Sequence, residues 1–276
     1  MNHSTTPPSS TTPLAATVKS TPFSDSSPGS EKTEFRKPSE NSEATRHQAT
    51  TESLLTPEPP SLNPQPSTTL WLIRHAEVEE RFQNVFGGRI DMDLSPRGRE
   101  QATALAKYLQ PRGFDALYAS PMKRVQQTLA PYLANGGLKP VILKDLREVD
   151  FGDWTGLAWE EIPVKFGISP FTWLDQLDCA GIPNAECAKT LRARVEPCLQ
   201  QILAAHPGQQ VAIACHGGVI RMLLAILLAW PLPRLGTIEI EYTSVTQVLW
   251  TPVGAKVQLL NFTPWRELAA WATVNP

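Results

Sequence analysis

The chain has 276 residues with 26 prolines, 25 Lys and Arg against 27 Asp and Glu, and a formal net charge of −2. Residues 1–67 hold eleven of those prolines, 24 Ser and Thr, and only eight of Val, Ile, Leu, Met, Phe, Trp and Tyr. That is too little apolar surface to offset the entropy of ordering the backbone, so 1–67 is expected to be a disordered Ser/Thr/Pro-rich tail and 68–276 one folded domain.

The tail carries five cations against seven anions, which leaves 20 of each in the remainder. A neutral folded part without a Lys/Arg block gives no electrostatic reason to expect nucleic acid or an anionic membrane as partner, so any phosphate binding must be local. Cys179, Cys187, Cys198 and Cys215 form no C-x-x-C pair and read as reduced thiols. The longest apolar run, Met222 to Trp230, is closed by Pro231 and is about half the length that spans a bilayer, so it reads as a buried helix. The N-terminus lacks the apolar centre of a signal peptide, and the cytoplasm is the expected compartment.

In chain order, Thr69 to Ile73 is predicted as a buried strand. Ser95-Pro96 opens a helix reaching Leu109, with Ser as N-cap and Pro in the first turn. Phe114 to Ala119 is a second strand, and Ser120-Pro121 repeats the cap signal before a helix over Met122 to Leu133. Val141 to Leu143 is a short strand, and an aromatic-rich stretch from Phe151 to Trp173 has no clear period. Lys189 to Ala205 reads as helix, Val211 to Cys215 as strand and Gly218 to Trp230 as helix, followed by strands at Ile238 to Tyr242, Thr246 to Trp250 and Val257 to Leu260. Strands alternating with helices predict an α/β three-layer αβα sandwich around a mostly parallel sheet, with functional residues at the carboxyl ends of strands.

Two predicted strands end in histidine, at Arg74-His75 and at Cys215-His216-Gly217-Gly218, so both would emerge at one sheet edge. The third histidine of this part, His206, precedes Pro207-Gly208 and reads as a surface residue. Arg74 adjoins His75, and Arg124 lies in a first helical turn after a strand, where unpaired N–H groups already favour an anion; Lys123 reads as solvated. Glu148 stands among apolar and aromatic neighbours in a setting that suits a proton donor, with Asp150 and Asp153 as open alternatives on spacing. Two histidines and a carboxylate could form a facial metal site. Two arginines in the same pocket oppose a dication, favour a phosphoryl group and keep His75 neutral, as a nucleophile requires, so the reading is phosphoryl transfer through histidine with no metal and no cofactor.

These residues resemble the histidine phosphatase superfamily, in its phosphoglycerate mutase-like branch. The similarity runs in order through LIRHAE (72–77), LSPRGREQA (94–102), YASPMKRVQQT (118–128), LREVDFGDWTG (146–156) and CHGGVIR (215–221). The resemblance implies that His75 becomes phosphohistidine, that Arg74, Arg124 and His216 hold the phosphoryl oxygens, and that Glu148, singled out from the two aspartates, is the general acid and base. The family has Gly and Thr where Ala76 and Val78 stand here, and Asn six residues after the nucleophile, where this chain has Arg81. Asn84 lies near that place out of register, and Gly88-Arg89 resembles a pair found in an alanine-containing subgroup. Arg81, Asn84 and Arg89 are therefore candidate substrate contacts.

Cofactor-dependent mutases of this branch carry a long basic insertion between acid and second histidine. Here that interval is short, with Lys165, Lys189, Arg192 and Arg194 as its cations, and it is rich in aromatics. A phosphatase acting on a small, partly apolar phosphomonoester is expected, with alpha-ribazole phosphatase and broad-specificity members both fitting. A phosphoglycerate mutase is the alternative. An inert phospho-ligand-binding scaffold is the second, and it should lack one of the five site residues, all of which are present.

Overall fold

The computed structural model describes residues 66–267. The expected tail lies outside the described residues except for Pro66 and Ser67, as does the end of the expected domain beyond residue 267.

Six strands form one sheet in the order β3-β2-β4-β1-β5-β6. β1 (Thr68–Arg74), β2 (Ala116–Ala119), β3 (Val141–Ile142) and β4 (Gln210–Cys215) run parallel, while β5 (Val245–Thr251) and β6 (Gly254–Phe262) are an antiparallel hairpin added beside β1. The helices are α1 (Pro96–Leu109), α2 (Lys123–Ala134), α3 (Glu161–Phe166), α4 (Trp173–Asp178), α5 (Ala188–Ala205) and α6 (Gly217–Leu227). None of the described helices is long and apolar enough to cross a membrane.

The period-two alternation of strand side chains separates two cores. Leu70, Leu72, Val211 and Ile213 pack on one face with α5 and α6, and Trp71, Ile73, Ala212 and Ala214 pack on the other with α1 and α2. Full burial of a Leu or Ile such as Leu72 or Ile73 contributes roughly 1.5–3 kcal/mol, so both strand faces resist polar substitution. The result is the expected three-layer sandwich.

Some local expectations differ. Ser95 caps α1 by accepting from Gly98 N at 2.8 Å, but α2 begins at Lys123 with Met122 in the N-cap place and no side-chain cap, while the Ser120 hydroxyl, two residues earlier, accepts from Met122 N at 3.4 Å and meets His216 Nε2 at 2.8 Å. Ile238 to Tyr242 is not a strand. β5 already occupies the free edge of β1, and the carbonyls of Ile238 and Ile240 turn instead to Arg221 and Arg74. α6 stops at Leu227, where Ala229 adopts φ +52° and the Trp230 N–H reaches Ala225 O at 3.0 Å, a Schellman closure ahead of Pro231. The aperiodic aromatic stretch resolves into a 3-10 turn at Gly152–Trp154, α3, a 3-10 turn at Pro170–Thr172 and the start of α4, which together form part of the larger core. His206 is half-buried rather than a surface residue. Its ring nitrogens meet Tyr118 Oη at 2.9 Å and Gln209 Oε1 at 2.6 Å, tying the end of α5 to β2.

Candidate active site

Parallel register brings the two strand-end histidines together. Arg74 pairs with Cys215 across β1 and β4, and the His75 N–H donates to Cys215 O at 3.1 Å, so His75 and His216 leave neighbouring strands at one edge. Their ring centroids lie 5.2 Å apart, and both rings are buried. β2 ends beside them, with Ser120 N donating to Ala214 O at 3.0 Å, and α2 then carries Arg124 back over His75.

His75 has a definite role at each nitrogen. Nδ1 lies 2.8 Å from Ala76 O, so its N–H donates there and the lone pair belongs to Nε2, which the Arg124 Nε–H meets at 3.2 Å. Burial first, then the Arg124 and Arg74 charges, hold the His75 pKa well below the usual histidine value. The ring is a neutral base at physiological pH. Burial and the same two arginines, with His75, likewise depress His216.

The arginines are fixed by main-chain oxygens. Arg124 donates to Ile90 O at 2.8 Å and Gly88 O at 2.9 Å, and Gly88 presents that oxygen from φ +46°, a conformation that favours glycine. Burial lowers Arg124 to about 10, which leaves it charged. Arg74 donates to Ile240 O at 2.5 Å and lies 4.1 Å over the Tyr242 ring, while its buried Nε has no partner among the described residues. The buried His216 Nδ1 also lacks one among the described residues, while Ser120 meets Nε2. Two buried, unsatisfied polar atoms beside His75 are costly unless a ligand completes them, and the two guanidinium groups suit an anion rather than a cation.

Glu148 lines the same cavity of about 330 Å³ as Arg74, His75 and Arg124. Its Oε1 accepts from Val149 N at 3.0 Å and Oε2 from Gly218 N at 3.3 Å, which aims the carboxyl across the first turn of α6. The structure separates the three acids the sequence left open. Asp150 binds Gly152 N and Arg89, Asp153 binds Asn184, and neither lines the cavity.

The remaining candidates lie elsewhere. Arg81 is 72% exposed and paired with Glu79, Asn84 occupies a turn at φ +55°, and Arg89 bridges Asp150 at 3.0 Å and Glu186 at 3.6 Å. None of the three lines the cavity. Lys123 pairs with Asp93 at 2.7 Å and is also outside it.

Sequence reading assigned no role to Ser120 at the site, to Tyr242 or to Glu239. Ser120 was legible only as a helix start, and the other two come from the segment read as a strand. Glu239 and Glu148 are the carboxylates among the cavity-lining residues. Among the aromatics, Trp154 is core and Phe151 is buried at the cavity wall, whereas Trp159 and Phe171 stay 41% and 78% exposed at the cavity, 5.9 Å apart edge to face.

A model of the histidine phosphatase superfamily, branch 1, matches residues 70–263. The chain is 35% identical over 169 residues to a 2,3-bisphosphoglycerate-dependent phosphoglycerate mutase of Methylobacterium radiotolerans, covering 57% of this chain and 78% of that relative. It is 29% identical over 165 residues to phosphoserine phosphatase 1 of Hydrogenobacter thermophilus, covering 60% and 78%. The solved structure of the alpha-ribazole phosphatase from Shigella flexneri superposes with TM-score 0.62 at 26% identity, over 71% of this chain and 96% of that one. The matched span contains His75, His216, Arg74, Arg124 and Glu148, and with it the chain belongs to branch 1 of the histidine phosphatase superfamily.

Proposed function

We propose that the protein hydrolyses small phosphomonoesters through a phosphohistidine on His75. The observation that carries this reading is the neutral His75, its Nε2 lone pair free of a proton, set among Arg124, the unpartnered Arg74 Nε and the unpartnered His216 Nδ1. A phosphoryl group placed there gives each of those donors an oxygen.

Nε2 attacks phosphorus as the ester P–O bond breaks, and Glu148 delivers a proton to the departing oxygen. The ring then carries a positive charge, which the Nδ1–H bond to Ala76 O stabilises. Water next attacks phosphorus, Glu148 takes its proton, the N–P bond breaks, and inorganic phosphate leaves with His75 neutral again. Arg74 and Arg124 supply the positive charge in both steps, so the residues present need no metal.

The leaving-group side of the cavity favours hydrolase over mutase. Phe82, Val85, Trp159 and Phe171 line it together with Glu239, and Arg221 spends its donors on Gly217, Leu235 and Ile238 carbonyls. An apolar wall with a carboxylate suits an alcohol that is aromatic or broadly apolar, and it repels the second anionic group of a phosphoglycerate. Phosphoserine and ribazole phosphate, the substrates named for relatives, belong in the same trial. The reading places the protein in the cytoplasm, where unbridged thiols such as Cys198 and Cys215 are the ordinary state.

The test is a phosphomonoester panel with and without EDTA, scored for free phosphate and for isomerised 3-phosphoglycerate. Phosphate release undiminished by chelator, with acid-labile label on wild type and none on His75→Ala, is expected. Isomerised product without net phosphate would establish a mutase, and inertness toward every ester would leave a phospho-ligand binder.

A further inference from the structure

Glu148 touches the cavity, yet its backbone is held from outside it. Arg194, in the second turn of α5, does not line the cavity, and its side chain is 13% exposed. Its guanidinium forks onto Glu186, with Nε to Oε1 at 2.6 Å and an Nη to Oε2 at 2.9 Å. The remaining donors go to three carbonyls of the acid-bearing segment, those of Asp145, of Arg147 at 2.8 Å and of Glu148 at 3.2 Å. Glu186 completes the clamp. It accepts from Asp150 N at 3.3 Å, and its own N–H donates to Asp150 O at 2.9 Å.

This segment has no sheet or helix ladder of its own beyond the 3-10 turn Lys144–Leu146, so its main-chain polar groups need partners from elsewhere. A planar fork with five donors can satisfy a carboxylate and several carbonyls together, which a lysine ammonium cannot do. On the far side, the Glu148 carboxyl is pinned by Val149 N and Gly218 N. Backbone and carboxyl are thus fixed from opposite directions, and the backbone half depends on one ion pair.

We infer that Arg194 and Glu186 are positioning residues for proton delivery by Glu148, acting through the main chain of 145–150 without touching substrate. The inference rests on the hydrolase reading above. A displaced acid fails most where a proton is most needed, so damage to the clamp should depend on the leaving group and spare esters whose alcohol departs unprotonated.

The experiment measures kcat/KM for a series running from 4-nitrophenyl through phenyl to alkyl phosphates, with melting temperature recorded for each variant. Arg194→Lys keeps the charge and loses the fork; it is expected to cost about ten-fold or more on alkyl phosphates and little on 4-nitrophenyl phosphate. Glu148→Gln should show the same slope, and the double variant should be no worse than Glu148→Gln alone. Should Arg194→Lys fail to fold, Glu186→Gln opens the clamp while keeping a side chain of the same shape, and it should give the same slope. An even loss across the series, or none, overturns the inference. Wild-type protein inert toward the whole series would overturn the hydrolase reading and this one with it, an outcome distinct from an active enzyme with unaltered leaving-group dependence.

Discussion

Arg124 Nε stands 3.2 Å from His75 Nε2, a hydrogen bond that joins the proposed phosphate-binding cation directly to the proposed nucleophile. Burial is the largest cause of the lowered His75 pKa, and the Arg124 guanidinium, which at that distance makes imidazolium expensive, is the next.

The consequence is a pH profile. Since both site histidines are depressed, kcat/KM should hold below pH ~6.5, the ordinary histidine value, and fall only at more acid pH. Arg124→Gln removes one depressing charge, so its residual activity should begin to fall nearer neutrality. Folding stability has a related signature. Between the unfolded and folded histidine values the unfolded chain binds more protons, so stability should decline as pH drops below ~6.5. Profiles of rate and of urea midpoint against pH check both, and an acid limb that stays put in Arg124→Gln would refute the coupling.

Gly218 lies so close to the acid that a Cβ there would sit 2.6 Å from Glu148 Oε1 and 2.7 Å from Val149 Cγ2. Gly218→Ala should push the carboxyl aside and cost about ten- to a hundred-fold in kcat, with a far smaller effect on phosphate affinity. Inhibition by inorganic phosphate, measured beside kcat, separates the two.

Glu239 should read charge on the leaving group. Wild-type protein is expected to prefer 4-(aminomethyl)phenyl phosphate to 4-carboxyphenyl phosphate, and Glu239→Gln should narrow that ratio by about two- to five-fold, the scale of an exposed ion pair. A ratio unmoved by the substitution would remove Glu239 from recognition.

Ala229 is an exposed residue held at φ +52° to close α6. Glycine is the residue suited to that position, so Ala229→Gly should stabilise the fold by about 1 kcal/mol, seen as a higher denaturant midpoint with unchanged turnover.

Much of the site was legible from residue order because its signals are local. A histidine directly after an apolar strand and an arginine one turn into a helix keep their places wherever the chain goes. The acid was less legible. Glu148, Asp150 and Asp153 share one aromatic segment, and only packing shows that Asp150 and Asp153 are bound to Arg89, Gly152 and Asn184 while Glu148 faces the cavity. The loop cations show the limit of such reading. Arg81 and Arg89 had chemistry suited to substrate, but each is neutralised by a neighbouring carboxylate.

The sequence by itself determined the α/β class, the alternation of β1, β2 and β4 with their helices, and the pairing of His75 with His216 at one edge, since strand burial and helix periodicity are written in consecutive residues. Only the tertiary structure decided that the Ser120 hydroxyl meets His216, that the carbonyls of Ile238 and Ile240 hold arginines instead of joining the sheet, and that Arg194 grips the acid's backbone. Each of those is a choice among partners distant in sequence. Hydrogen-bonding groups take whichever partner the folded chain brings within reach, and no local pattern encodes that selection.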